Sequence, residues 1–169
     1  PVMRNSTPRD MTCAESRLAI SLNGIDMFSR SNGAECLDVI PSVEPFIDKC
    51  GGFADSSGNY KYVTLPTCLA AQLTPLSYTI GSHGPQVAWA IDGFPVYNAY
   101  QGANGVNMQP CSASNPENIY CLDECNGYEG WLPDVDQFYY RYYIRGGTKN
   151  PHECDETIFD KGNCEFSTD

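Results

Sequence analysis

The sequence predicts a mainly β domain with irregular loops, little helix and several disulfide staples. Three observations carry that expectation. Apolar residues recur at period two, 15 Gly and 12 Pro cut the 169 residues into short pieces, and nine cysteines are spread from Cys13 to Cys164. The length suits one core of ordinary size, and 11 Tyr, 7 Phe and 2 Trp bring large buried areas per residue. The expected layout is an N-terminal arm over residues 1–17 and a single domain over 18–169.

The net charge of −11 argues against nucleic acid and against insertion into or docking on an anionic membrane, because both need basic surface. No apolar run approaches the roughly 18 residues of a membrane-spanning helix. Cys13, Cys36, Cys50, Cys68, Cys111, Cys121, Cys125, Cys154 and Cys164 form no Cys-x-x-Cys pair, and only two histidines are present, so a zinc site is poorly supported. The cysteines are read as disulfide candidates of a secreted, extracellular protein. Four bridges leave one thiol over, either buried or bonded between chains. A start at Pro1 is what a processed secreted chain would show.

Taken in order, residues 1–17 are polar and basic (Arg4, Arg9, Arg17), with one glycosylation sequon at Asn5. A basic arm on an acidic protein reads either as a disordered end or as a segment reaching a neighbouring subunit. Leu18, Ile20 and Leu22 alternate before Asn23-Gly24, a hairpin signal. Pro41 and Pro45 make Cys36 to Ile47 an irregular or edge extended segment. Turns over 48–52 and 55–59 flank the short run Tyr60 to Leu65, and Leu69 to Leu73 reads as one helical turn. Val87, Trp89 and Ile91 alternate into Asp92-Gly93, a turn dipeptide because both residues tolerate positive φ, and Phe94 to Tyr100 continues extended. Residues 101–118 form a long loop pinned by Cys111, and Tyr139 to Ile144 is a strand aromatic on both faces. Such a strand is central, or covered by another molecule.

One internal echo stands out. Gly51-Gly52-Phe53 precedes Tyr60-Lys61-Tyr62, and Asn126-Gly127-Tyr128 precedes Tyr140-Arg141-Tyr142. Alternation puts both tyrosines of each unit on one face and the cation on the other. Two such strands would pair about an approximate two-fold.

These strings, with His83-Gly84-Pro85, Asp92-Gly93-Phe94-Pro95 and Leu122-Asp123-Glu124-Cys125-Asn126-Gly127, resemble the YHYH family of secreted proteins over roughly Asp48 to Gly147. The resemblance implies the fold and makes Tyr60, Tyr62, His83, Asp92, Gly93, Phe94, Pro95, Asp123, Glu124, Asn126, Tyr140 and Tyr142 the motif positions. It also implies strand histidines suited to a metal. This chain departs there: Lys61 and Val63, Arg141 and Tyr143, and Phe53 and Tyr128 stand where the family has histidine, and only His83 stays. Fixed cations repel a metal ion, so the chain reads as a degenerate member.

No complete catalytic constellation is visible. His83 lacks a nucleophile motif beside it and reads as structural. Asp92 reads as a turn acceptor. Asp123, Glu124, Asp134 and Asp136 offer carboxylates for Ca²⁺ without any fixed ligand spacing; otherwise Glu124 neutralises Lys61 or Arg141. The leading expectation is a non-enzymatic structural protein without cofactor, a homo-oligomer or polymer within a secreted filament or surface coat. The alternatives are a metal-binding protein using His83, Asp123 and Glu124, and a carbohydrate-binding module presenting tyrosines to glycans.

Overall fold

The structure is a computed structural model, described here for residues 17–29, 40–73, 84–98, 108–111, 121–123, 125–132 and 136–144. It is mainly β, as expected. Eight strands build one sheet: β1 (Arg17–Ser21), β2 (Asp26–Phe28), β3 (Gly52–Ala54), β4 (Tyr60–Tyr62), β5 (Gln86–Ala90), β6 (Pro95–Asn98), β9 (Gly127–Leu132) and β10 (Gln137–Ile144). Their spatial order is β3-β4-β2-β1-β5-β6-β10-β9. A separate parallel pair joins β7 (Gln109–Pro110) to β8 (Cys121–Leu122).

The order is that of one four-stranded unit used twice. In each half a hairpin (β1–β2 or β5–β6) takes a strand parallel to its second member, β4 beside β2 and β10 beside β6. That strand also pairs antiparallel with β3 or β9 at the outer edge. The halves meet where β1 and β5 run antiparallel. Across this seam Leu22 N donates to Val87 O at 2.9 Å and Ile91 N donates to Leu18 O at 3.0 Å, a reciprocal pair about an approximate two-fold axis. The two Tyr-x-Tyr strands, expected to pair with each other, instead lie far apart, each inside its own half. A parallel neighbour for β4 and β10 was not readable from short apolar runs.

One turn recurs five times. Its first residue accepts from the amide three residues on and donates to the carbonyl four residues on, and glycine or asparagine at the fourth position takes left-handed φ. The copies begin at Ser21, Asp48, Asp55, Ala90 and Asp123, with Gly24, Gly51, Gly58, Gly93 and Asn126 at φ 83°, 88°, 82°, 89° and 57°. Only the fourth residue is left-handed, so Asn23 and Asp92 do not share the positive φ that a two-residue turn would impose. In three copies the opening Asp anchors the loop with one carboxylate oxygen. Asp48 Oδ1 accepts from the amides of Cys50 and Gly52, Asp55 Oδ1 from Ser57 and Asn59, and Asp123 Oδ1 from Cys125 and Gly127.

The main core lies on one side of the sheet, where Met27, Tyr62, Val96, Tyr140, Tyr142 and Ile144 pack with Leu69 and Ala70 of helix α2 (Thr67–Leu73). Cys50–Cys68 ties the Asp48 turn to that helix, and Cys111–Cys121 closes the β7–β8 pair. The segment around Pro41 and Pro45, expected to be extended, forms helix α1 (Ile40–Val43) and a 3₁₀ turn (Glu44–Phe46). Proline suits the first turn of a helix, where its missing N–H costs nothing.

Alternation in β1 and β5 is interrupted by irregularities at Arg17/Ala19 and Gln86/Ala88, where Leu18 and Val87 are buried along with the small residues that follow. Ala19, Ser21, Ala88 and Ala90 are buried, while Ile20 and Trp89, paired across the seam, are 42% and 47% exposed. Leu22 and Ile91, at matching places in the hairpin turns, are 45% and 47% exposed. Cys13, Cys36, Cys154, Cys164, Asn5, His83 and Glu124 lie outside the described residues, as do residues 1–16 of the expected arm; Arg17 belongs to β1.

Candidate functional site

Because β4 and β10 alternate, each sends tyrosines to the core and a cation to the opposite face. On the core side the halves match residue for residue. Tyr60 donates to Asp48 Oδ2 at 2.8 Å, and Tyr140 donates to Asp123 Oδ2 at 2.8 Å. Gly52 and Gly127 are required beneath those rings, since a Cβ at either would strike the tyrosine hydroxyl. Asn23 Nδ2 donates to the Tyr62 hydroxyl at 3.1 Å, while Tyr142 donates to Asp92 Oδ2 at 2.6 Å.

Electrostatics follow burial. Desolvation of Asp92 raises its carboxyl above the usual range, outweighing the bonds from Tyr142 and the Phe94 amide. Burial, then the bond to Asp92, raises the Tyr142 phenol. For Asp48 desolvation is the largest single influence and raises its carboxyl, but the Tyr60 hydroxyl and the amides of Cys50, Gly52 and Gly51 together outweigh it and lower the carboxyl.

The opposite face carries two boxed cations. In the first half Lys61 Nζ lies 4.8 Å from the Phe28 ring centroid and 5.4 Å from that of Phe53, and 3.7 Å from Asp55 Oδ2. In the second, the Arg141 guanidinium lies 5.3 Å from the Tyr128 ring and 5.5 Å from the Tyr143 ring. Arg141 is completely buried, and its donors go to the Tyr143 hydroxyl at 2.7 Å and to the carbonyls of Gly130, Tyr139 and Trp131 at 3.0, 3.1 and 3.4 Å. Burial pushes the Tyr143 phenol up to about 12 although Arg141 pulls it down. Tyr97, Met108 and Leu122 close this second box. The first box is open: Lys61, Phe28, Phe53 and Val63 border a cavity of about 480 Å³ against Val43 and Phe46.

Phe53, Lys61 and Val63 thus come together, as do Tyr128, Arg141 and Tyr143. A family model described as YHYH protein matches residues 2–115. The chain belongs to the YHYH family. The match begins far upstream of Asp48 and stops before β9 and β10, so the second copy of the motif rests on the structural repeat rather than on the match. No curated protein and no solved structure matches the chain.

The donor set does not fit the metal that histidines at the YHYH positions would hold. In the first box those positions carry a fixed cation and carbon surface; in the second they carry Arg141, which offers only N–H groups, and the phenols of Tyr128 and Tyr143, the latter already engaged by Arg141. Among the described residues no cluster of three or more His, Cys, Asp or Glu could hold a metal ion. Of the alternative ligands His83, Asp123 and Glu124, only Asp123 is described, and its two oxygens take two amides and a tyrosine hydroxyl. Asp136 stands in an exposed turn at φ 54°, and Asp134 lies outside the described residues.

Glu124, the expected partner of Lys61 or Arg141, lies outside the described residues; Lys61 meets Asp55, and Arg141 meets carbonyls and a phenol. The Gly93-Phe94-Pro95 motif is structural: Gly93 completes the turn, Phe94 packs edge-on against Tyr140 at 5.1 Å, and Pro95 is buried beside Trp89. Asn126 is buried and holds the left-handed turn position. The strand aromatic on both faces is central, paired with β6 and β9, with Tyr140 to Ile144 all buried and Phe138 at 72% exposure. Sequence reasoning missed Asn23, Asp48 and Phe28. The Asp-x-Cys-Gly/Asn-Gly string shared by 48–52 and 123–127 would have found Asp48.

Proposed function

We propose that this YHYH chain is a non-enzymatic, extracellular structural protein whose copies associate into a filament or surface assembly. The observation that carries the reading is the apolar set Ile20, Leu22, Trp89 and Ile91, each 42–47% exposed at the centre of the sheet where the halves meet. Central strands of a lone domain ordinarily hide such residues, and contiguous exposed apolar surface marks contact with another molecule. Its near two-fold arrangement suits the same surface on a second copy.

A second apolar surface lies at the far edge of the sheet. Trp131 and Phe138, 47% and 72% exposed, form an edge-to-face pair with centroids 6.0 Å apart. One self-complementary patch gives dimers, whereas two separate patches let a chain of subunits grow. The two described disulfides fit an oxidising, secreted setting, and no described helix is long and apolar enough to cross a membrane. Light scattering and electron microscopy of natively purified protein test the reading. Polymers that Trp89→Glu reduces to smaller species support it; a wild-type monomer at millimolar concentration removes it.

A further inference from the structure

The two boxes are built alike, yet the second is filled and the first is not. What fills the second is a phenol from the chain itself. Tyr143 lies against Tyr97 with centroids 6.2 Å apart, and its hydroxyl accepts from Arg141 at 2.7 Å. The residue matching Tyr143 in the first half is Val63: the amide of Tyr143 donates to Asn126 O, and that of Val63 to Gly51 O, at the same turn position. The residue matching Tyr97 is Phe28. Where the second half has a phenol ring, the first has a short branched side chain and an open cavity of about 480 Å³, a size ordinary for small-ligand sites.

We propose that the cavity beside Lys61 binds a phenol, whose ring takes the place against Phe28 that Tyr143 takes against Tyr97. The polar groups select a neutral hydroxyl over a carboxylate. Lys61 Nζ and Asp55 Oδ2 stand 3.7 Å apart with side chains 18% and 27% exposed. A phenol oxygen accepts from the ammonium while its proton is donated to the carboxylate, which satisfies both. An aryl carboxylate would meet Asp55 as a like charge. Phe46, 70% exposed, forms the outer wall. The site is separate from the surfaces invoked for assembly, so either idea stands without the other.

The test is titration of the intact protein with p-cresol, p-xylene and 4-methylbenzoate, followed by amide chemical shifts and calorimetry. One p-cresol per chain, shifting amides of Lys61 and Val63, with p-xylene and 4-methylbenzoate at least tenfold weaker, is the expected result. Val63→Tyr, which installs the ring found in the second half, should abolish binding, and Lys61→Met should weaken it at least tenfold. Should Val63→Tyr not fold, Phe46→Ala at its exposed position is the second variant, expected to weaken p-cresol several-fold. An at least tenfold preference for N-acetyl-tyrosinamide over p-cresol would identify the source as a peptide tyrosine, and equal binding a free phenol. No shift at millimolar p-cresol, or shifts unchanged in Lys61→Met and Phe46→Ala, overturns the proposal.

Discussion

Asn23 and Asp92 occupy the same position of matching hairpin turns, and each meets the hydroxyl of a tyrosine, Tyr62 or Tyr142, on the strand parallel to its hairpin. The amide donates where the carboxylate accepts, so a hydroxyl that can do either serves both halves. The first half therefore shows what an amide does in the second.

Asp92→Asn should consequently fold, at a cost within about 1 kcal/mol, the net worth of one hydrogen bond. Its signature is in pH. Burial raises the Asp92 carboxyl, so its stabilising contribution is complete below the ordinary carboxylate range and is lost as pH rises through the raised value. Urea unfolding from pH 3 to 8 should show wild type losing stability relative to Asp92→Asn across that window. Parallel profiles would contradict the assignment.

Asp48 has the opposite sign. Its lowered carboxyl contributes stability above the ordinary carboxylate range, which disappears as pH falls through the folded value. Asp48→Asn should flatten the acid limb of the stability profile, and an unchanged limb would show that solvent already screens this exposed group.

Asp123→Ala and Asp48→Ala remove the same set of bonds in different surroundings. Around Asp123 the amides of Cys125 and Gly127 and the hydroxyl of the buried Tyr140 lose their acceptor together. A loss of about 2–4 kcal/mol is expected there, since partly buried donors left unmade cost about 1–3 kcal/mol each and relax in part. Asp48→Ala should cost clearly less because water reaches its partners. Chemical denaturation ranks the two, and equal losses would show that burial does not separate the sites.

Gly127→Ala and Gly58→Ala separate crowding from backbone conformation. A Cβ at Gly127 runs into the Tyr140 ring and hydroxyl, whereas at Gly58 nothing lies within 4 Å and only the φ of +82° opposes it. The first should cost about 2–3 kcal/mol, as overpacking does, and the second about 1 kcal/mol. Restoration of the Gly127→Ala loss by Tyr140→Leu would identify the ring as the obstacle.

Cys50–Cys68 joins residues 18 apart in sequence. Replacing both by serine should lower stability by about 3 kcal/mol, the usual worth of a closed loop of that length. Calorimetry of the double variant checks it; a change under about 0.5 kcal/mol would show the Asp48 turn to be held by its hydrogen bonds alone.

Much of the fold was legible in the chain because the information was local. Asn23-Gly24, Asp92-Gly93 and the paired glycine turns announce hairpins, and the Tyr-x-Tyr strings announce which side chains share a face. Alternation names two faces without saying which is inward: of Val87, Trp89 and Ile91 only Val87 is buried, and Trp89 and Ile91 are about half exposed. The small residues Ala88 and Ala90 lie in the core instead, beside Leu69 and Ala70 of α2, a contact set by elements distant in sequence. The parallel seats of β4 and β10 were hidden for the same reason. The repeat was half visible: Lys for Arg, Asn for Asp and Val for Tyr keep the architecture while erasing identity. The same erasure concealed which box is open.

The seam between the halves has a consequence for how molecules interlock. Residues 17–63 hold β1 to β4, and residues 86–144 hold β5, β6, β9 and β10, so each half completes its own strand pairs. What joins them is the β1–β5 ladder, the reciprocal bonds of Leu22 and Ile91, and the core where Met27 and Tyr62 pack with Val96 and Tyr142. That ladder reads the same whether its two strands come from one molecule or from two. Exchange of halves between neighbours would keep every bond of the seam, and a row of such exchanges has no natural last member.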